Sequence, residues 1–330
     1  MLVRWIFCVV LFAFAGTGNA DYTGRADVGL FIDEMVAEHN FERFELQQVF
    51  SDAQHNAGIV KAISRPAEKT KQWWEYRNIF LDQKRIVNGV KFWNDYASEL
   101  ERAQRMFSVP PEIVVAIIGV ETRYGKRAGS YRVLDALSTL GFDYPPRQKF
   151  FRNELKEFLL LSREESKEPR SAMGSYAGAM GYGQFMPSSY RAYAVDFDGD
   201  GLRDIWDNPV DAIGSVGSYL SQHGWKVDQA IAARASDVDD AVFASLANKN
   251  LKPHLSVGQW KKNGLLGTSL ADDTNVALFR MQTEQAAEYW LGQHNFYVIT
   301  RYNHSSMYAL AVFQLAQEIA SFRASQAKAE

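Results

Sequence analysis

Glu121 is the residue of this 330-residue chain whose setting most resembles that of a proton donor. It follows the apolar run of residues 113–120, so its carboxyl group is expected beside hydrophobic surface and near the negative end of a helix dipole. Both effects disfavour the ionised form, so its pKa is expected to rise and the group to keep a proton near neutral pH. A carboxylic acid of that kind can protonate a leaving oxygen as a bond breaks, which is what glycosidic cleavage requires. A glutamate that merely emerges into solvent at a helix end has the same sequence signature, and position alone does not separate the two.

The segment GSYAGAMGYGQFMPSSY, residues 174–190, carries more information. Gly174, Gly178, Gly181 and Gly183 permit close backbone approach, while Ser175, Tyr182, Gln184 and Phe185 offer hydrogen bonds and ring faces. Sugars are bound by such mixtures of polar groups and aromatic platforms. Tight helix packing is the competing explanation for the same glycines and alanines.

DFDGDGLRDIWD, residues 196–207, places acidic side chains at the first, third and fifth positions of a loop, with Gly201 at the sharp turn. This matches the start of a calcium-binding EF-hand loop, with Asp196, Asp198 and Asp200 as side-chain ligands and Leu202 as a backbone ligand. The twelfth position holds Asp207 where glutamate is usual, and Asp211, beyond Pro209, is its rival for the last ligand. An acidic turn without an ion is the alternative, disfavoured because three convergent carboxylates repel one another. Near the C-terminal end, RYNHSSMY sets Tyr302, Asn303 and Tyr308 close together. The six histidines, His304 among them, show no metal-ligand spacing, and there is no Walker, dinucleotide-binding or Gly-x-Ser-x-Gly motif.

These residues must be positioned by helices for the most part. Residues 28–105 show loose helical spacing of apolar side chains, with Pro66 as a breaker in a shorter, more polar stretch over 57–70. Pro110 and Pro111 suit a first helical turn, Glu112 suits its positive end, and residues 113–120 are apolar on every side, as in a helix buried all round; Gly125 offers its stop. Helices are also expected over 155–161, 210–223 and, with an amphipathic pattern, 308–322. Residues 276–281 and 295–300 read as strands, the latter from Phe296, Val298 and Thr300 alternating with Tyr297 and Ile299. The expected fold class is mainly α (α+β).

A composition of 47% hydrophobic and 23% charged residues excludes a disordered chain, and the length suits roughly two domains. A net charge of −3 argues against nucleic acid as a partner. Arg4, the apolar stretch 5–15 and the small residues Gly16, Gly18 and Ala20 read as a cleavable secretory signal, too short to cross a bilayer. Cleavage after Ala20 removes Cys8, the single cysteine, and with it any disulfide. Cys8 lacks a small-residue acylation motif before it, so an exported, soluble protein without a membrane anchor is expected.

IIGVETRYG, LDALSTLGFDYPPR, AGAMGYGQFMPSSY, AVDFDGDG, WDNPVDAIGSVGSYL and NFYVITRYNHSSMYALAV together resemble the membrane-bound lytic murein transglycosylase B family, over residues 28–322. The resemblance implies a lysozyme-like core with a helical domain and a small β domain. It divides the chain into a signal peptide at 1–20, a helical domain at 21–107, the core with its EF-hand-like loop at 108–234, a β-containing domain at 235–299 and a helix returning to the core at 300–330. It implies periplasmic cleavage of the bond between N-acetylmuramic acid and N-acetylglucosamine in peptidoglycan, with a 1,6-anhydromuramoyl product and no water consumed. Glu121 is then the single acid and later base, and Ser175 a hydrogen-bonding neighbour. Tyr182, Gln184, Phe185, Tyr219, Tyr302, Asn303, Tyr308 and Arg147 contact the substrate. Calcium is implied as a structural cofactor on Asp196, Asp198, Asp200, Leu202 and Asp211, with no organic cofactor. Glycan strands, and other cell-wall enzymes, are the implied partners. The sequence departs from the family at Asn208, an extra residue in the acidic loop, and at Pro146, which precedes Arg147 where relatives carry two basic residues. A hydrolytic muramidase on the same core and a non-catalytic peptidoglycan-binding protein are the competing functional readings.

Overall fold

A helix that is aliphatic on every face must be enclosed on all sides, and the helix Pro111–Thr122 is organised in that way. In the computed structural model, which describes residues 22–64 and 70–328, the side chains of Val114, Val115, Ala116, Ile117 and Ile118 are fully buried. The proposed leader with Cys8, and Pro66, lie outside the described residues. Helices Gln83–Asp95, Ala97–Phe107, Pro209–Gln222 and Ser306–Ala327 pack around Pro111–Thr122.

The buried helix ends at Thr122, before Gly125. Arg123 and Tyr124 turn left-handed at φ 52° and 62°, and their N–H groups donate back to the carbonyls of Gly119 and Ile118. The Tyr124 ring folds against two glycines. A Cβ on Gly89 or on Gly119 would stand 2.6 Å from the Tyr124 phenol oxygen, whose proton goes to the Arg85 carbonyl at 2.9 Å.

The chain divides into two compact units, one ending at His55 and one beginning at Asn56. In the first, helices Ala26–His39 and Arg43–Asp52 are joined edge to face by Phe31 and Phe50, with ring centroids 5.8 Å apart; Phe44, within the apolar spacing of residues 28–105, faces solvent. In the second, further helices run Val133–Asp143 and Gln148–Glu164, and a four-stranded antiparallel sheet is ordered Ala232–Ala235, Ala287–Gly292, Asn275–Gln282, Leu255–Ser256. Alternation along its strands sends Val276, Leu278, Tyr289 and Leu291 to one face, where they bury Phe243, Val257, Trp260 and Leu265. The opposite face carries Phe279, Glu288 and Trp290 towards the remaining helices: Phe279 meets Phe296, and Trp290 meets Phe313.

The strand expected over 295–300 is instead the helix His294–Tyr302. Its β-branched run, Val298, Ile299 and Thr300, favours a strand intrinsically, and tertiary context overrides that preference. Asn295, Phe296, Val298 and Ile299 are buried at helical spacing, and the Asn295 amide is tied to the backbone of Lys226 and Gln229. The strand expected over 276–281 lies within Asn275–Gln282. The closing helix Ser306–Ala327 is buried on nearly every side in its first half, from Tyr308 to Val312, rather than along one amphipathic stripe.

The Tyr124 seat gives the first prediction. Gly119→Ala pushes a methyl group into the phenol and is expected to cost about 1–3 kcal/mol, the usual penalty of overpacking. It is measured as a lowered urea midpoint at constant m; an unchanged midpoint means that the ring yields without cost.

Candidate active site

Glu121 occupies the last turn of the buried helix and is half-buried. The Tyr308 hydroxyl donates to Glu121 Oε1 at 2.6 Å from the first turn of the closing helix, whose start is fixed by the Ser305 hydroxyl accepting the Tyr308 N–H. Burial, followed by the negative charge of Glu121, holds the phenols of Tyr308 and Tyr302 far above the usual tyrosine range. Both therefore remain donors over the whole working range of pH.

The glycine-rich segment is laid against this helix end by side chains that reach main-chain carbonyls. The Thr122 hydroxyl donates to the Tyr182 carbonyl at 2.9 Å, the Gln184 side-chain amide to the Ala128 and Gly181 carbonyls at 3.0 Å each, and the Tyr302 hydroxyl to the Gly183 carbonyl at 2.6 Å. Two glycines make this approach possible. A Cβ on Gly125 would fall 2.3 Å from the Tyr182 ring, and one on Gly183 would fall 2.8 Å from the Tyr302 oxygen. Gln184 itself is left-handed at φ 50°, a conformation that costs a non-glycine residue energy and is repaid here by its two amide bonds. The Ser175 oxygen accepts the N–H groups of Ala177 and Ala179, which closes the turn that starts the segment.

Aromatic rings back this segment, with Phe185, Tyr219 and Tyr308 buried and Tyr302 half-buried. Phe185 lies 5.7 Å from Tyr219 and 5.8 Å from Tyr302; Tyr219 lies 4.7 Å from Tyr302, and Tyr302 stacks nearly parallel to Tyr308. The Tyr219 hydroxyl donates to the Arg301 carbonyl at 2.6 Å. Asn303 ends the helix His294–Tyr302, next to Tyr302. Arg147 is placed differently: it is exposed in the turn before Gln148–Glu164, its guanidinium over Phe150 at 4.2 Å and Phe151 at 5.0 Å. His304 takes part in a hydrogen bond with Arg301, in keeping with the absence of metal-ligand spacing.

In the acidic loop, carboxylate oxygens of Asp196, Asp198 and Asp211 lie within 4.8 Å of one another. Asp211, not Asp207, is thus the residue that joins the cluster. Its side chain is buried, accepts the backbone N–H groups of Phe197, Asp198 and Asp204, and has its pKa raised by burial against the pull of those donors. Asp200 accepts the Leu202 N–H, and Asp196 accepts the N–H groups of Gly199, Asp200 and Gly201. An all-oxygen set of crowded carboxylates suits a hard divalent cation. The extra residue Asn208 has two functions: its oxygen caps the helix Pro209–Gln222, and its amide donates to Asp198.

Several residues of this arrangement carry no local sequence signal. Thr122 follows the catalytic candidate and looks like a helix residue. His223 gives no ligand spacing, yet it stacks on Tyr219 at 4.1 Å and sits 4.9 Å from Tyr193. Glu154, buried in Gln148–Glu164, accepts the N–H and the hydroxyl of Ser188, tying down the first turn of Pro187–Tyr193 where the glycine-rich segment ends. An SSY following Met-Pro marks that helix start, but nothing in the sequence indicates which carboxylate reaches it.

Residues 24–317 match the family described as the transglycosylase SLT domain, and the chain belongs to that family. It is 44% identical over 315 residues to membrane-bound lytic murein transglycosylase B of Escherichia coli K12, an alignment covering 92% of this chain and 86% of that protein. Its structure is similar to that of the soluble lytic transglycosylase SltB1 of Pseudomonas aeruginosa, with 53% identity, a TM-score of 0.85, and 90% and 99% of the two chains covered. It is also similar to the Escherichia coli lytic transglycosylase Slt35 solved in complex with calcium, with 43% identity, a TM-score of 0.85, and 93% and 96% covered. The mainly helical, lysozyme-like fold expected from the sequence is the fold of these neighbours.

The His223 contact generates a pH prediction. Burial lowers the His223 pKa below its ordinary value of 6.5, opposed by its bond to the Tyr219 carbonyl and aided by the Arg301 charge. The folded state thus binds fewer protons than the unfolded one, so this contribution is present above about pH 6.5 and is lost as pH falls through the lowered folded value. Wild type is expected to lose more melting temperature than His223→Phe between pH 7 and pH 5; parallel pH profiles refute the assignment.

Proposed function

We propose that the chain is a lytic transglycosylase that cleaves the β-1,4 bond between N-acetylmuramic acid and N-acetylglucosamine in peptidoglycan and leaves a 1,6-anhydromuramoyl end. Membership of the transglycosylase family supports the reaction class. The observation that carries the residue assignment is Glu121 at the exit of the buried helix, held by the Tyr308 phenol at 2.6 Å and faced by the glycine-rich segment. In this reading protonated Glu121 gives its proton to the glycosidic oxygen as the C1–O bond breaks. The 2-acetamido group of the sugar stabilises the positive centre that forms. Glu121, now a carboxylate, takes the proton of the muramoyl C6 hydroxyl, and that oxygen closes on C1. Protons balance, Glu121 regains its starting state and no water is consumed. The nucleophile is tethered to the reacting ring, so its effective concentration is high and no second carboxylate is needed to activate water. Tyr308 orients the carboxyl group; Ser175, Tyr182, Gln184, Tyr302 and Asn303 form the sugar-facing surface, backed by the buried rings of Phe185 and Tyr219, and Arg147 is an outlying contact for anionic groups of the substrate.

Asp196, Asp198, Asp200 and Asp211, with the Leu202 carbonyl, would hold calcium; its contribution is to neutralise the loop and fix its shape, and no chemical step passes through it. The calcium bound in the Escherichia coli relative supports the same choice of ion. Residues 1–20 would export the chain to the periplasm, where its substrate lies. Among the described residues no single helix is long and apolar enough to cross a membrane. The domain reading keeps residues 108–234 as the catalytic core and residues 300–330 as the helix that returns to it with Tyr308.

Glu121→Gln is expected to reduce turnover of purified sacculi by at least about 10²-fold, the scale of a lost general acid, while sacculus binding persists. Mass spectrometry of the wild-type digest is expected to show anhydromuramoyl ends. Reducing muramic acid ends instead would establish a hydrolytic muramidase, and near-normal turnover in the variant would remove Glu121 from the mechanism. For the ion, EDTA is expected to lower the melting temperature and added calcium to restore it, and Asp211→Asn to abolish the calcium response. A melting temperature indifferent to both rules out a structural ion.

A further inference from the structure

We propose that a pocket of about 520 Å³ at the junction of helix Trp73–Phe80, the sheet face bearing Trp290 and the closing helix Ser306–Ala327 is a second glycan-contact site, for a stretch of β-1,4-linked N-acetylhexosamine outside the reacting pair. The proposal rests on peptidoglycan being the substrate. Three of the protein's eight tryptophans, Trp73, Trp74 and Trp290, line this pocket, an enrichment that core packing alone does not call for on a partly open surface. Trp73 is buried, whereas Trp74 and Trp290 are half-exposed and can offer ring faces.

Two of the three rings, Trp73 and Trp290, are fixed in advance. The indole N–H groups of Trp73 and Trp290 both donate to Glu288 Oε1, at 3.0 and 3.1 Å, and Arg234 pairs with Glu288 Oε2 at 3.4 Å. Little rotamer entropy is then lost when a ligand stacks on them. Around the rings stand the exposed amides of Asn78 and Gln285, together with Arg77, whose Nε donates to Gln314 at 2.8 Å. Aromatic faces match the C–H face of a pyranose, and side-chain amides match its acetamido group and hydroxyls. The charged side chains of the lining, Arg77 and Arg234 against Glu284 and Glu288, cancel. A neutral sugar chain fits that balance better than an anionic peptide does.

The pocket and the reacting site share the closing helix. Gln314 follows Tyr308 by six residues on one helix, a rise of about 9 Å. Trp73, Tyr76 and Arg77 share a face of their own helix, and Tyr76 is close enough to Tyr308 for their charges to interact. A glycan strand whose scissile bond is at Glu121 can therefore be gripped some distance along its length, which raises retention on long strands without touching the chemistry.

The test uses the full chain carrying Glu121→Gln, so that bound sacculi are not digested, and measures cosedimentation with intact sacculi. Adding Trp74→Ala is expected to weaken binding about fivefold or more, and adding Gln285→Ala, at an exposed turn residue that does not bear on folding, to weaken it measurably. In the Glu121 background, Trp74→Ala is expected to leave turnover of a short muramoyl-containing tetrasaccharide unchanged while raising KM for long strands. Sacculus binding unchanged in both variants overturns the proposal, as does equal loss on short and long substrates, which would place Trp74 in the reacting site. If the Glu121→Gln parent itself fails to bind sacculi, the substrate reading falls together with the pocket.

Discussion

The complete burial of one helix is the constraint on which the rest of the molecule depends. Pro111–Thr122 has no polar face from Ile113 to Val120, so leaving any side of it in water would expose several large aliphatic side chains, at roughly 1.5–3 kcal/mol each. The helices around it are the response, and two consequences follow for chemistry. The first polar side chain after the run is Glu121, which therefore lies at the boundary between core and surface. The closing helix must also pass alongside, which brings Tyr308 from 187 residues away to within 2.6 Å of that carboxylate. The position of the Glu121 carboxyl group and that of the phenol bonded to it are both by-products of core packing.

Beside the Tyr308–Glu121 bond, the protein ties side chains around that point to backbone carbonyls. Thr122 reaches Tyr182, Gln184 reaches Ala128, Tyr302 reaches Gly183 and Tyr219 reaches Arg301. Carbonyls are fixed by the path of the chain, so such bonds set loop positions more firmly than contacts between mobile side chains do. The requirement moves to the backbone: Gly125 and Gly183 must lack a Cβ, and Gln184 must remain left-handed. An alanine at either glycine would separate the segment from the helix end before altering any group that touches substrate.

The legible part of this arrangement was local. Glu121 after an aliphatic run, the glycine spacing of 174–183 and the alternating aspartates each carry their meaning within a dozen residues. What stayed hidden is decided by partners distant in the chain. Residues 295–300 have strand-forming side chains and become a helix because Asn295 is bound to the 226–229 backbone and Phe296 packs on Phe279. Asn208 looked like an insertion that confuses the loop, whereas it is a helix cap and a brace for Asp198. His223 shares the histidines' lack of ligand spacing, and its place is against an aromatic ring.

The acidic loop shows how a site remote from the carboxylate bears on it. Asp211 gathers the N–H groups of Phe197, Asp198 and Asp204 while standing in the first turn of Pro209–Gln222, at the positive end of that helix. Tyr219, eight residues on, lies about 12 Å along the same axis and packs, buried, beside Tyr302. At the other side of the loop the Ile205 carbonyl accepts the Tyr182 N–H, in the residue whose own carbonyl is held by Thr122. Two chains of contact thus lead from the loop, one through a helix to the rings beside Tyr302 and one through a hydrogen bond to the helix end bearing Glu121. A cation among Asp196, Asp198 and Asp211 would remove the mutual repulsion of the carboxylates from which both chains of contact start.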